Sequence, residues 1–330
     1  MKFCLNSELS RICFFLMLCT FITLGCEKKS SIELGKQTLE TDTTWQGNVL
    51  ITGDIYVPPG VTLTVAPGTI VKFKRVEETM ERNLFALDSP YYPVAEIIVR
   101  GRLIANGTKD NHIVFTSAEV DARPGDWGAL NLLGSDDHSV KYAKVLFAFN
   151  GIHAHGSTGS ITHCEFASNG VGISFKSEEE NPDVPWFGKR SKFIITDNLF
   201  HRNKGGVGLR NSDGEIMHNE IRDNKFFGVW PKENVGARIS YNEITGNKKG
   251  VLLYQTQGVT LTNNNIYDNK DYEIAVATAQ DYPVEAPNNW FGTINKQKIE
   301  ELIFDQKDDP DLGAVLFEPY LHKPVEWERP

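Results

Sequence analysis

A unit of about 22 residues recurs along this chain and constrains its fold more than any other feature. Segments starting at Val140, Ile161, Ile195, Ile216, Ile239 and Leu261 align with one another. Each opens on an aliphatic residue, continues with a polar or small residue and then an apolar one, and usually places an asparagine before a glycine-aliphatic pair. In the clearest copy these are Ile239, Asn242, Ile244, Asn247, Gly250 and Val251; Ile195, Asn198, Phe200, Asn203, Gly206 and Val207 match it position for position. Apolar spacing of this kind, broken by turn formers, gives short strands and excludes a helical solenoid. One unit has the length of a three-stranded coil. Coils stacked about 4.8 Å apart bring equivalent residues directly above one another, so the columns they form carry the information.

One column is Ala143, Cys164, Asn198, Asn219, Asn242 and Asn264. Asparagine tolerates the unusual backbone of a sharp turn and has both a donor and an acceptor, so stacked amides are predicted to bond coil to coil. Ala143 and Cys164 end that ladder, which makes Cys164 a buried small residue and not a nucleophile. Regular coils are predicted over 131–287, with an inserted loop at 177–190 that lengthens the interval between Ile161 and Ile195. Less regular coils are predicted over 44–130, with turns at Pro58-Pro59-Gly60, Pro67-Gly68 and Asn106-Gly107 and an inserted loop at 77–93. Residues 288–330, with Asn288-Asn289-Trp290-Phe291-Gly292-Thr293 and a short helix over 299–304, are expected to cap the open end of the solenoid.

Behind Lys2 and Arg11, residues 12–24 form an apolar run of signal-peptide length, short for a membrane span. The run ends in Thr23-Leu24-Gly25-Cys26, which resembles a bacterial lipobox, although Thr23 stands where an aliphatic residue is usual. Residues 1–25 are therefore expected to be a cleaved lipoprotein signal, Cys26 the acylated residue and 26–43 a tether. Glu27 after the cysteine, in place of Asp, points to the outer membrane under the sorting rule of enteric bacteria. Among the five cysteines, Cys4, Cys13 and Cys19 leave with the signal and Cys164 has no partner, so packing must stabilise the chain without disulfides. With 43 Asp and Glu against 34 Lys and Arg, the formal charge of -9 argues against a nucleic-acid partner.

The asparagine-glycine coils, the segment Gly125-Asp126-Trp127-Gly128, the coil Ile98-Val99-Arg100-Gly101-Arg102-Leu103 and the closing Asn-Asn-Trp-Phe-Gly run resemble the bacterial β-helix repeat proteins of the pectin-lyase-like superfamily. The resemblance covers nearly all of the chain after the signal. It implies an all-β fold, a right-handed parallel β-helix with three sheets, as one domain with a C-terminal cap. Because the superfamily holds lyases, glycosidases, carbohydrate-binding surface proteins and maturation factors, it does not choose among activities.

In the superfamily's enzymes substrate lies across the outer face of the strand that here begins with the glycine-aliphatic pair. Alternation sends two columns outward on that strand. The first is His153, Ser174, Gly208, Trp230 and Leu252; the second is His155, Lys176, Arg210, Lys232 and Tyr254. Calcium-dependent lyases need a carboxylate cage and the related hydrolases a group of aspartates, and neither column contains an acidic residue. Catalytic residues are accordingly unassigned, and no cofactor is expected. Lys176, Arg210 and Lys232 would repel one another unless an anion, or the acidic loop residues Glu178, Glu179, Glu180 and Asp183, relieved them. Trp230 and Tyr254 offer stacking surfaces for sugars. His163, Asp197 and His218, in one column with Glu165 and Glu220 nearby, are weaker candidates for metal binding or proton transfer, against the alternative that they solvate a bend.

These features favour a lipid-anchored envelope protein that binds an anionic polysaccharide or an envelope protein without catalysis. A polysaccharide lyase or glycoside hydrolase with unidentified residues and a structural scaffold or adhesin stand as alternatives. If Cys26 carries the anchor, Cys26→Ser abolishes detergent-phase partitioning and accumulates unprocessed precursor; unchanged mass and partitioning would remove the anchor from the account.

Overall fold

The structure, a computed structural model, describes residues 31–76, 92–177 and 189–327. The signal, Cys26, most of both inserted loops and the residues Glu178, Glu179, Glu180 and Asp183 lie outside the described residues. Among these, three parallel sheets of 10, 11 and 9 strands run the length of the molecule. Each coil contributes one strand to each sheet. Asp213–Met217 lies in the third sheet, Glu220–Arg222 in the first and Phe227–Asn234 in the second, and they pair in parallel with Ala237–Ser240, Glu243–Thr245 and Lys249–Gln257 of the next coil.

Inward positions stack by type. Ile216, Ile221 and Val229 sit against Ile239, Ile244 and Val251 of the next coil, all fully buried. Larger rings do the same: Phe166 lies over Phe200 at 4.9 Å and Phe73 over Trp127 at 4.1 Å between centroids. Such burial is the main stabilising term of a chain whose described cysteine, Cys164, forms no disulfide.

The corners are where the backbone is unusual. Between the third and first sheets, Tyr142, His163, Asp197, His218, Tyr241, Asn263 and Asn288 all have φ between 45° and 59°. Asn, Asp and His are the side chains that most often adopt this left-handed region. Immediately after them come Ala143, Cys164 and then Asn198, Asn219, Asn242, Asn264 and Asn289, and the five asparagine amides form the predicted ladder. Asn219, for example, donates its backbone N–H and its Nδ2 to Asn242 Oδ1, both at 3.0 Å, and Nδ2 also reaches Ile195 O at 2.9 Å. Cys164 takes the same place, with Sγ 3.6 Å from Val140 O and 3.2 Å from Thr162 O. Burial pushes its thiol up to about 12, so it stays protonated as a weak donor.

Two further corner columns were not read as such from the sequence. At the corner between the first and second sheets, Asn169, Asn203, Asn224, Asn247 and Asn269 form a second ladder by the same geometry. At the third corner hydroxyls replace amides: Ser135 N–H donates to Ser157 Oγ, and Ser157 N–H to Ser191 Oγ.

Both ends differ from expectation. The stretch 26–43 contains the strands Ser31–Leu34 and Gln37–Thr38, which pair with Asn48–Ile51 and Ile55–Val57, so the solenoid already exists inside the segment expected to be a tether. Coil hydrogen bonding carries the first and second sheets into that segment. At the other end the helix spans Lys296–Glu301, capped by Asn295, while Ile303–Phe304, expected to be helical, extends the second sheet beside Tyr272–Val276. Asn289 completes the first ladder by accepting from Asn264, so the cap grows out of a coil corner. Among the described residues no helix is long and apolar enough to cross a membrane.

Asn219→Ala and Asn242→Ala each strand the donors of the preceding coil and should cost about 1–3 kcal/mol in denaturant unfolding. Cys164→Asn supplies the missing amide and is expected to keep or raise the midpoint. Unaltered midpoints in both alanine variants would contradict the ladder.

Candidate functional site

The second sheet's outer face carries both predicted columns in the predicted register. Ser174 pairs with Gly208, Gly208 with Trp230, Arg210 with Lys232 and Lys232 with Tyr254; Phe175 pairs with Leu209, which puts Lys176 next to Arg210. A cleft of about 600 Å³ lies over these strands. Ser174 and Gly208 line it together with Lys176, Arg210 and Lys232, and Phe149 and the trio Phe226, Phe227 and Trp230 border it as well. Glycine shapes the floor. The Phe227 ring occupies the space a Cβ on Gly205 would need, whereas a Cβ on Gly208 would meet nothing closer than 3.8 Å.

Charge in the cleft is positive. Lys176, Lys204, Arg210 and Lys232 line it, and no carboxylate or imidazole does so among the described residues. Lys232 Nζ lies 3.4 Å from the centre of the Trp230 ring, a cation-π contact that holds the ammonium against the aromatic wall. Desolvation there, with repulsion from Lys176 and Arg210, lowers the Lys232 pKa to about 8. One carboxylate moderates the field: Glu233 accepts Arg210 Nε at 2.7 Å and Asn211 Nδ2 on its other oxygen. Alternation along the strand does not reveal Glu233, because it sits at a corner with φ 60° that turns it back over the preceding coil. Tyr254 borders a neighbouring hollow of about 370 Å³ with Arg210, Trp230, Lys232 and Glu233, and does not line the larger cleft.

With fold and cleft in view, comparison with known proteins agrees on architecture. A family described as right handed beta helix region matches residues 128–291, and one described as pectate-lyase like beta helix domain matches 35–191. The chain carries a pectate-lyase-like right-handed β-helix domain. Among solved structures, the A-module of an Azotobacter vinelandii mannuronan C-5 epimerase is similar at 13% identity and a TM-score of 0.44, covering 85% of this chain and 91% of that one. A periplasmic alginate epimerase is similar at 13% identity and a TM-score of 0.34, covering 89% of this chain and 82% of that one. No curated protein matches the chain in sequence.

The histidine column of this β-helix is arranged by its backbone. His163, Asp197 and His218 are left-handed residues that precede the first ladder, and the two imidazoles meet neighbouring corner rings at a tilt: His163 is 4.7 Å from Tyr142, and His218 is 5.7 Å from Tyr241. The nearby carboxylates turn to other partners. Glu165 pairs with Lys144 at 2.8 Å and His201 at 3.0 Å, and Glu220 with Arg222. Among the described residues no group of three or more His, Cys, Asp and Glu is placed to hold a metal.

His153 and His155 hold their outward register beside Ser174 and Lys176 but are buried beneath cover. Asn131 donates to Glu96 Oε2 at 2.9 Å, which leaves its Oδ1 to accept His153 Nδ1–H at 3.3 Å. Burial and the neighbouring His155 and Lys176 depress the His153 pKa well below its usual value, while burial and Asp54 raise that of Glu96. Burial thus favours the neutral form of both. Tyr92 packs its ring 5.7 Å from His153, and none of these groups lines the cleft.

Lys232 should titrate at about 8 in side-chain NMR of labelled lysine, and both Lys176→Ala and Arg210→Ala should move it upward by removing repulsion. A value at the ordinary lysine position in the wild type would show the ammonium to be fully solvated.

Proposed function

We propose that this β-helix binds an anionic polysaccharide across the outer face of its second sheet, held at the cell envelope by acylated Cys26, and that it does so without catalysis. The observation that carries this reading is the column Lys176, Arg210 and Lys232 along a cleft whose wall includes the Trp230 ring. Stacking places like charges about 4.8 Å apart, and an acidic ligand spanning the coils neutralises several of them at once. Phe149 and Trp230 at opposite borders supply faces for sugar rings. Glycoside hydrolysis calls for a pair of carboxylates astride the scissile bond, and the described lining is cationic instead.

The Lys232 pKa adds a sign. An anion bound beside Lys232 favours its protonated form, so affinity should be full below about 8 and fall as pH rises through that value. In Lys232→Arg the fall should vanish, because a guanidinium stays charged.

Calorimetric titration with acidic and neutral oligosaccharides tests the reading. Acidic chains should bind, with Arg210→Glu plus Lys232→Glu weakening them at least tenfold, and added salt eroding that charge contribution more than the one lost in Trp230→Ala. Gly208→Phe, aimed into open cleft space, should block binding while the protein stays folded. If the folded double charge reversal keeps wild-type affinity for every acidic chain that binds, the sheet face is not the site and a scaffold role takes its place.

A further inference from the structure

The cleft does not stop at Trp230. Past it on the outer face, Leu252 pairs with Ala275 and Ala275 with Phe304, continuing the column that Ser174, Gly208 and Trp230 begin. Outward positions of a solvated sheet are ordinarily polar. Here Phe227, Leu252 and Ala275 are buried together outside the solenoid's interior, with Phe226, Trp230, Tyr272 and Phe304 packed around them. The group forms most of a second hollow of about 430 Å³, bordered by Phe226, Trp230, Leu252, Tyr272, Ala275 and Phe304, with Lys249, Thr278 and Asp309 as its polar border. Phe226 and Trp230 border both hollows, so the cationic cleft and the apolar one meet at a shared aromatic wall.

A plain sugar chain gains little from the second hollow, whose walls offer few groups to hydrogen-bond hydroxyls. An alkyl chain matches it. Three coil steps separate Trp230 from Phe304, roughly 14 Å at the usual strand spacing. At the junction, Trp230 Nε1 is buried and finds no hydrogen-bond partner among the described residues, which leaves a donor for an oxygen located where a head group joins a tail.

We infer that the ligand is an acylated acidic saccharide, with its acidic sugar between Lys176, Arg210 and Lys232 and its alkyl chain lying along Leu252, Ala275 and Phe304. This rests on the cationic cleft being an anion site and names the ligand class for it. Two features select this occupant: the positive charge that complements its head, and the continuation of that cleft, past the shared Phe226 and Trp230, into an apolar groove.

Three probes separate the two halves: octyl glucuronide, glucuronic acid and octyl glucoside, each titrated calorimetrically into the full chain below the probe's micelle concentration. Octyl glucuronide should bind at least tenfold more tightly than either of the others. Lengthening its tail from hexyl to octyl should tighten binding by about three- to fourfold per methylene, as burial of that group dictates. Tyr272→Ser with Phe304→Ser should flatten this dependence while leaving glucuronic acid affinity unchanged, with circular dichroism confirming the fold. Ala275→Phe, which fills the groove, gives a second route to the same loss. Equal affinity for octyl glucuronide and glucuronic acid overturns the inference and leaves the anion site standing. Equal affinity for octyl glucuronide and octyl glucoside, or no binding of either acid, overturns the anion site and the inference with it.

Discussion

A left-handed residue followed by a buried amide is the constraint on which the rest of this molecule depends. Turning a chain from one sheet to the next within a residue or two leaves backbone N–H groups facing inward with no strand partner, and each costs about 1–3 kcal/mol if unmet. The Asn side chain answers this from the neighbouring coil: Asn242 Oδ1 takes both the N–H and the Nδ2 of Asn219, and Asn219 Oδ1 does the same for Asn198. Each coil is therefore satisfied only when the next is present. Two such ladders and a column of hydroxyls at the third corner lock the coils in register along the axis.

Register of that rigidity makes the surface as repetitive as the core. Once Val207, Val229 and Val251 are stacked inside, Gly208 and Trp230 must stack outside, and Arg210 must lie against Lys232. A globular fold can turn neighbouring charges apart, but a β-helix cannot without breaking a coil. The cationic column is thus held together by the interior; the Lys232 pKa is lowered first by desolvation and then by repulsion from Lys176 and Arg210, and the Glu233 carboxylate is drawn onto Arg210.

Much of this was legible because columns follow from period alone. The first ladder, the interior aliphatics and the outward register of Lys176, Arg210, Trp230 and Lys232 needed only the alignment of Ile161, Ile195, Ile216, Ile239 and Leu261. Residues at corners were not legible in the same way, since a positive φ redirects a side chain that alternation assigns elsewhere. Glu233 was missed for that reason, while His163, Asp197 and His218, weighed as weak candidates for chemistry against solvating a bend, have the left-handed backbone of that bend. The cleft's aromatic wall was hidden differently. Phe226 and Phe227 precede the glycine-aliphatic pair, and their position over the sheet depends on Gly205, whose missing side chain makes room for the Phe227 ring.

That substitution of space for side chains connects the stability of the solenoid to what its surface can hold. Gly206, Gly228 and Gly250 stack where a Cβ would strike backbone carbonyls or core methyls, so they are required by packing. Gly208 is different: nothing crowds it, and its neighbours in the column are Ser174 and Trp230. Core geometry therefore does not explain a glycine there. A larger residue there would project from the floor of the cleft between the cations and the aromatic wall, into the space the proposed ligand would use. The open space over Gly208 sits where charge and apolar surface converge.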